Sequence, residues 1–140
     1  MALPSHEMIA IQTGGLWPEL AHCRCCPRQC GANRLAGELG YCRLDAGWNV
    51  ASICLHRGEE PVVSGPTGIC NVFFAHCNLQ CRFCQNHQIS RNQGTAARLT
   101  PDQIIAQVEN LLDQGSHAVG FVSPSHVLPQ MEAIILTLQH

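Results

Sequence analysis

Asn71-Val72-Phe73-Phe74-Ala75, followed after one residue by Cys77-Asn78-Leu79-Gln80-Cys81-Arg82-Phe83-Cys84, joins a compact apolar run to three closely spaced thiols. The run is short, apolar and preceded by the break Ser64-Gly65-Pro66-Thr67-Gly68, the pattern of a buried strand. The thiols follow as C-x3-C-x2-C. Three thiolates in so short a loop can converge on one metal centre, and a cubane iron–sulfur cluster held by only three cysteines keeps one iron open to another ligand. An open iron points to catalysis, because a cluster that only carries electrons or braces a fold usually has a full set of protein ligands.

Two metal sets compete for Cys77, Cys81 and Cys84. With His87 as fourth ligand the spacing becomes C-x3-C-x2-C-x2-H, a closed zinc knuckle. Without it the three thiols hold a [4Fe–4S] centre at the C-terminal end of a strand, where βα-barrel proteins carry their active sites. Position favours the cluster. A structural knuckle replaces a core, whereas this loop hangs between a buried strand and an amphipathic helix that already make one.

That helix begins at Thr100-Pro101-Asp102-Gln103, with Thr100 as N-cap, Pro101 in the first turn and Gln103 placed to return the capping bond. Ile104, Ile105, Val108, Leu111 and Leu112 recur on one face, and Gly115 supplies the stop. The polar, glycine-containing stretch Gln85 to Arg98 before it predicts a loop. Ala118 to Val122 predicts a second buried strand, ended by Ser123-Pro124-Ser125-His126. A second helix follows, with Pro129 near its start and Met131, Ile134, Ile135 and Leu138 on one side, running to His140. The order strand, cysteine loop, helix, strand, loop, helix is the opening of a parallel βαβ array. Two strands cannot bury both faces of a parallel sheet, so the expectation is a truncated chain or a fragment of a longer α/β fold.

Upstream, Cys23-Arg24-Cys25-Cys26-Pro27-Arg28-Gln29-Cys30 leads through Gly31, Gly37 and Gly40 to Cys42. Cys23, Cys26, Cys30 and Cys42 give C-x2-C-x3-C-x11-C, four thiolates that suit zinc or an accessory cluster, with Cys25 a bystander. Gly14-Gly15 breaks any helix before it, and Trp17-Pro18-Glu19-Leu20 can start a short one. Val50 to Leu55 predicts a strand. His56-Arg57-Gly58-Glu59-Glu60-Pro61 is either a solvated turn or a set of acid/base groups. The break at 64–68 divides the chain into a cysteine-rich module, 1–65, and an α/β part, 66–140.

Composition narrows the class. Of 140 residues 46% are apolar and 13% charged, and the formal net charge is −2, so the chain is neither disordered nor a nucleic-acid binder by charge. No apolar run approaches the roughly 20 residues needed to cross a bilayer. Met1 to Ala10 lacks the basic and apolar regions of a secretory leader, so the expected compartment is the cytoplasm. There, ten cysteines argue for metal or cluster ligation rather than disulfides.

The residues also resemble a known family. Cys77, Cys81, Phe83 and Cys84 match the C-x3-C-x-aromatic-C loop of the radical S-adenosylmethionine superfamily. The stretches Cys26-Pro27-Arg28-Gln29-Cys30-Gly31, His56 to Pro61, Cys77-Asn78-Leu79 to Gln85-Asn86 and Ser123-Pro124-Ser125-His126 resemble its pyruvate formate-lyase-activating-enzyme-like branch. The likeness implies the first two βα units of a partial, TIM-like barrel of about six. It implies a [4Fe–4S] cluster on Cys77, Cys81 and Cys84, whose open iron takes the amino and carboxylate groups of S-adenosylmethionine. Phe83 would lie beside the nucleoside and His126 near the site. Reductive cleavage would then give a 5′-deoxyadenosyl radical that abstracts a substrate hydrogen. An electron donor such as flavodoxin or ferredoxin is implied, as is a glycyl-radical enzyme as protein substrate. Many activating enzymes carry Gly-Gly-Glu where this chain has Ser123-Pro124-Ser125-His126, a departure within the likeness. A zinc-binding module with two knuckles and an iron–sulfur electron carrier stay open beside it.

Overall fold

A computed structural model describes residues 17–93 and 97–139. Met1 to Ala10, the break at Gly14-Gly15 and the helix end at His140 lie outside the described residues. The chain runs through strand β1 (Val50–His56), helix α1 (Pro61–Ser64), strand β2 (Ile69–Phe74), helix α2 (His87–Ser90), helix α3 (Pro101–Asp113), strand β3 (Val119–Val122) and helix α4 (Leu128–Leu138). Short 3-10 turns at Pro18–Leu20, Arg34–Ala36 and Ser125–Val127 complete it. The result is a mixed α/β fold around one three-stranded sheet of order β1-β2-β3.

The parallel pair β2 and β3, joined through α3, is the expected βαβ unit, with Val72 opposite Phe121. Strand β1 adds a partner that the sequence left unassigned. It pairs antiparallel with β2, Ile53 opposite Val72, across the short segment that holds α1 and the 64–68 break. An antiparallel partner needs only such a short connection, whereas a parallel one needs a crossover of a dozen residues or more. Strand β3, expected to be buried, is half-buried along its length because it forms an edge of the described sheet.

Alternation along β2 sets the two faces of the sheet. Cys70, Val72 and Phe74 enter the core with Ile104, Ile105 and Val108 of α3 and Ala133 and Ile134 of α4. Cys42, Leu44 and Val50 belong to the same core, so core and sheet both run across the 64–68 break. Helix α3 forms as its sequence dictates. The Thr100 hydroxyl accepts from the Gln103 N–H while the Gln103 side chain accepts from the Thr100 N–H. At the other end Gly115, at φ +104°, lets its own N–H reach the Leu112 carbonyl and that of Ser116 the Leu111 carbonyl, closing a Schellman turn.

Helix α4 buries Ile134 of the apolar stripe but turns the rest of the stripe partly aside. Gln130, Ala133, Ile134 and Thr137 are buried, while Met131, Ile135 and Leu138 are half-buried. Two polar residues enter because each finds a partner: Gln130 donates to the Ala46 and Gly47 carbonyls, and Thr137 to the Ala133 carbonyl one turn back.

The turn before β2 is tight. Gly68 sits at φ +97°, and a Cβ there would lie 2.6 Å from the His56 carbonyl oxygen. Gly68→Ala is therefore expected to lower stability by about 2–3 kcal/mol, from the left-handed backbone and the overlap together. A urea-denaturation midpoint within error of wild type would contradict this.

Candidate metal centre

The loop after β2 leaves the sheet at Ala75 and returns through α2 to α3. Backbone strain marks its turns: His76 and Gln80 both have positive φ, +62° and +57°. The bond from the His76 N–H to the Ile89 carbonyl, 2.7 Å, ties its two limbs.

Two side chains close the loop. Gln80 Nε2 reaches the Cys77 carbonyl at 3.0 Å, the Ser90 carbonyl at 2.6 Å and Asn92 Oδ1 at 2.8 Å, while Gln80 Oε1 accepts from the Asn92 N–H at 3.2 Å. Asn92 Oδ1 also accepts from the Cys77 N–H, 3.0 Å. A loop outside the sheet has no strand partner for its backbone groups, and these carboxamides supply one.

The three thiols differ in surroundings. Cys77 is buried beside the core, with the Leu79 N–H 3.4 Å from its sulfur. Cys81 is exposed and Cys84 half-exposed. The Ser90 hydroxyl donates to Cys84 Sγ at 3.3 Å, and with the Asn86 N–H and nearby Arg91 it lowers the Cys84 pKa. Phe83 is 94% exposed, next to Cys84. His87 is exposed on α2.

His126 lies beneath the loop rather than in it. It is 1% exposed, and its Nε2–H donates to the Ala75 carbonyl at 3.0 Å, the last residue before the loop turns. Burial pushes its pKa down, with Arg34 and His76 acting in the same direction, so the ring is neutral in the folded chain. The unfolded histidine, near 6.5, then binds the proton that the folded one refuses. Stability from this residue is complete above that value and falls as pH drops from it toward the depressed folded pKa. The melting temperature is expected to fall between pH 7.5 and pH 5.5, and less so in His126→Gln; an equal fall in both would refute the assignment.

In the N-terminal segment, Cys23 and Cys42 are buried, Cys26 half-buried and Cys30 exposed. The Cys23 and Gly31–Ala32 backbones pair through two hydrogen bonds, which folds 23–32 into a hairpin-like turn. N–H groups of Ala32 and Tyr41 lower the Cys30 pKa, and burial raises that of Cys42. Cys25 is pushed up to about 12 by burial and by Cys23 beside it, and stays a thiol at neutral pH. Arg34, 1% exposed, sends Nη1 to the His126 carbonyl at 2.7 Å and to Cys23 Sγ at 3.7 Å, with Nε and Nη2 on the Asp45 carbonyl.

On the sheet face opposite α3, a cavity of about 340 Å³ is lined by His56, Glu59, Asn71, Phe73, Asn86 and Val122. His56 Nε2 lies 3.5 Å from Glu59 Oε1 there, and Glu60 is exposed. The polar segment at 56–61 thus faces a cavity that the tail of the cysteine loop also borders.

Residues 71–140, half of the chain, match the Radical SAM superfamily. The chain belongs to the radical SAM superfamily. An uncharacterized protein of Methanocaldococcus jannaschii is 39% identical over 70 residues, covering 50% of this chain and 19% of that protein. The chain thus spans about a fifth of that relative's length. No solved structure matches.

Radical SAM proteins work with a [4Fe–4S] cluster and S-adenosylmethionine, and the donor set of the loop fits a cluster in kind: three thiols on one loop, all ten cysteines of the chain unpaired. Among the described residues, no three His, Cys, Asp or Glu side chains are arranged to hold a metal ion. Also among the described residues, no helix is long and apolar enough to cross a membrane.

The residues missed in the sequence are the polar ones that hold the loop: Gln80, Ser90 and Asn92 within it, and Arg28 from upstream. None sits in a spacing pattern. The single local sign is Gln80, between two of the cysteines.

Proposed function

We propose that this chain is part of a radical S-adenosylmethionine enzyme of the pyruvate formate-lyase-activating-enzyme-like branch, with Cys77, Cys81 and Cys84 as ligands of the [4Fe–4S] cluster. The observation that carries this reading is the seat of the three thiols, on the loop that leaves the C-terminal end of the central strand inside the superfamily match. When bound, the cluster supplies the electron that cleaves S-adenosylmethionine reductively, giving a 5′-deoxyadenosyl radical.

The protein's own part is to hold and shield. Gln80 and Asn92 fix the loop backbone, and Ser90 aims a hydroxyl at the Cys84 sulfur. Phe83 presents an open aromatic face for the nucleoside. His126 serves the site through the Ala75 carbonyl rather than by touching the cofactor. The units β2–α3 and β3–α4 are the first two of a partial barrel of about six.

Cys23, Cys26, Cys30 and Cys42 make a second site, for zinc or another cluster. The setting is a reducing cytoplasm, with flavodoxin or ferredoxin as electron donor and a glycyl-radical enzyme as protein substrate.

Anaerobic reconstitution with iron and sulfide, followed by metal analysis and electron paramagnetic resonance, tests the reading. The expected result is a reduced-cluster signal that changes when S-adenosylmethionine is added. Tight zinc with no cluster signal would sink it, and a signal indifferent to S-adenosylmethionine would replace it with an electron carrier.

A further inference from the structure

The two cysteine segments, far apart in sequence, are sewn together beside their cysteines. His76, next to Cys77, donates from Nδ1 to the carbonyl of Cys42 itself at 2.8 Å, a buried bond across 34 residues. Arg28, between Cys26 and Cys30, donates from Nε to the Asn78 carbonyl at 2.8 Å, across 50 residues. Asn92 bridges the Cys77 N–H to the carbonyl of Tyr41, 2.7 Å away across 51 residues.

These bonds fall where the loop cannot satisfy itself. The Asn78 carbonyl lies between Cys77 and Cys81, outside any helix or strand. His76 holds a left-handed backbone, φ +62°, which persists in a residue with a side chain only where its surroundings over-determine it. Arg28 is itself held for the task. Its guanidinium lies 3.9 Å from the centroid of the Tyr41 ring, and Nη2 donates to the Tyr41 hydroxyl at 3.2 Å.

We propose that the N-terminal cysteine segment is the jig of the cluster loop, with Arg28, His76 and Asn92 as positioning residues that fix the backbone carrying Cys77 and Cys81. Cluster retention then depends on this seam as well as on the three thiols. The proposal rests on the loop being the cluster site.

Arg28→Ala tests it, because Arg28 is exposed and its loss leaves every thiol in place. Arg57→Ala is the control: it removes a comparable bond, Nε to the Thr67 carbonyl at 3.2 Å, away from the loop. Two readouts are compared with wild type: the alkylation rate of Cys77 by iodoacetamide in the reduced, metal-free chain, and the iron retained on desalting after reconstitution. Arg28→Ala is expected to speed alkylation and lower iron retention, each by roughly three- to tenfold, the net worth of one hydrogen bond at a partly exposed site, with an unchanged circular dichroism spectrum. Arg57→Ala is expected to change neither. Wild-type values in Arg28→Ala, or equal changes in both variants, would overturn the proposal. A wild-type chain that took up no iron would sink the cluster reading alone, because the alkylation rates would still report whether the segment holds the loop.

Discussion

Arg34→Ala is expected to destabilise the chain by about 3–5 kcal/mol, the largest effect of any single side chain outside the apolar core. The side chain is 1% exposed and spends its donors on the Asp45 and His126 carbonyls. Alanine leaves those carbonyls buried without donors, at about 1–3 kcal/mol for each group left unsatisfied, and a void where the guanidinium stood. Arg34→Lys keeps the charge but has one nitrogen in place of the planar fork whose Nε and Nη2 grip the Asp45 carbonyl while Nη1 reaches that of His126, and should lose part of the same amount. Urea denaturation with an unchanged slope and a lower midpoint would bear this out. A loss below about 1 kcal/mol for alanine would mean that the carbonyls find water instead.

Gln80 gives the second large effect, and the sign of its charge variant is the sharper test. Gln80→Ala removes the donor shared by the Cys77 and Ser90 carbonyls and Asn92 Oδ1. A local loss of about 3 kcal/mol speeds amide exchange at Cys77 and Asn92 roughly a hundredfold, with little change at α3. Gln80→Glu, nearly the same shape, turns an oxygen toward those three oxygens and should open the loop further than alanine does. If glutamate exchanged like wild type, the carboxamide would not be the clamp.

Legibility in the sequence followed how local the physics was. The α3 cap and stop could be read because Thr100, Gln103 and Gly115 act within a few residues of themselves. The strand positions could be read from apolar runs. The pairing of β1 could not, because nothing in Val50 to His56 says whether its partner is parallel or antiparallel; the short 57–68 connection decides that. The inward face of α4 was obscured by Gln130 and Thr137, polar residues buried by partners that only the fold supplies. At the site, cysteine spacing made the thiols stand out. The carboxamides and Arg28, which hold the loop, bond mainly backbone atoms, and backbone atoms leave no mark in a sequence.

The bond from Arg34 to the His126 carbonyl also sets an order of events during synthesis. Its partners are 92 residues apart. At about 5–20 residues per second, Arg34 leaves the ribosome roughly 5–20 s before the carbonyl that completes its set of acceptors. Through that interval residues 17–49 lack the β3–α4 floor against which they finally pack. Closing so long a loop is slow, so the thiols at the start of the chain are the first to be made and among the last to be locked in place.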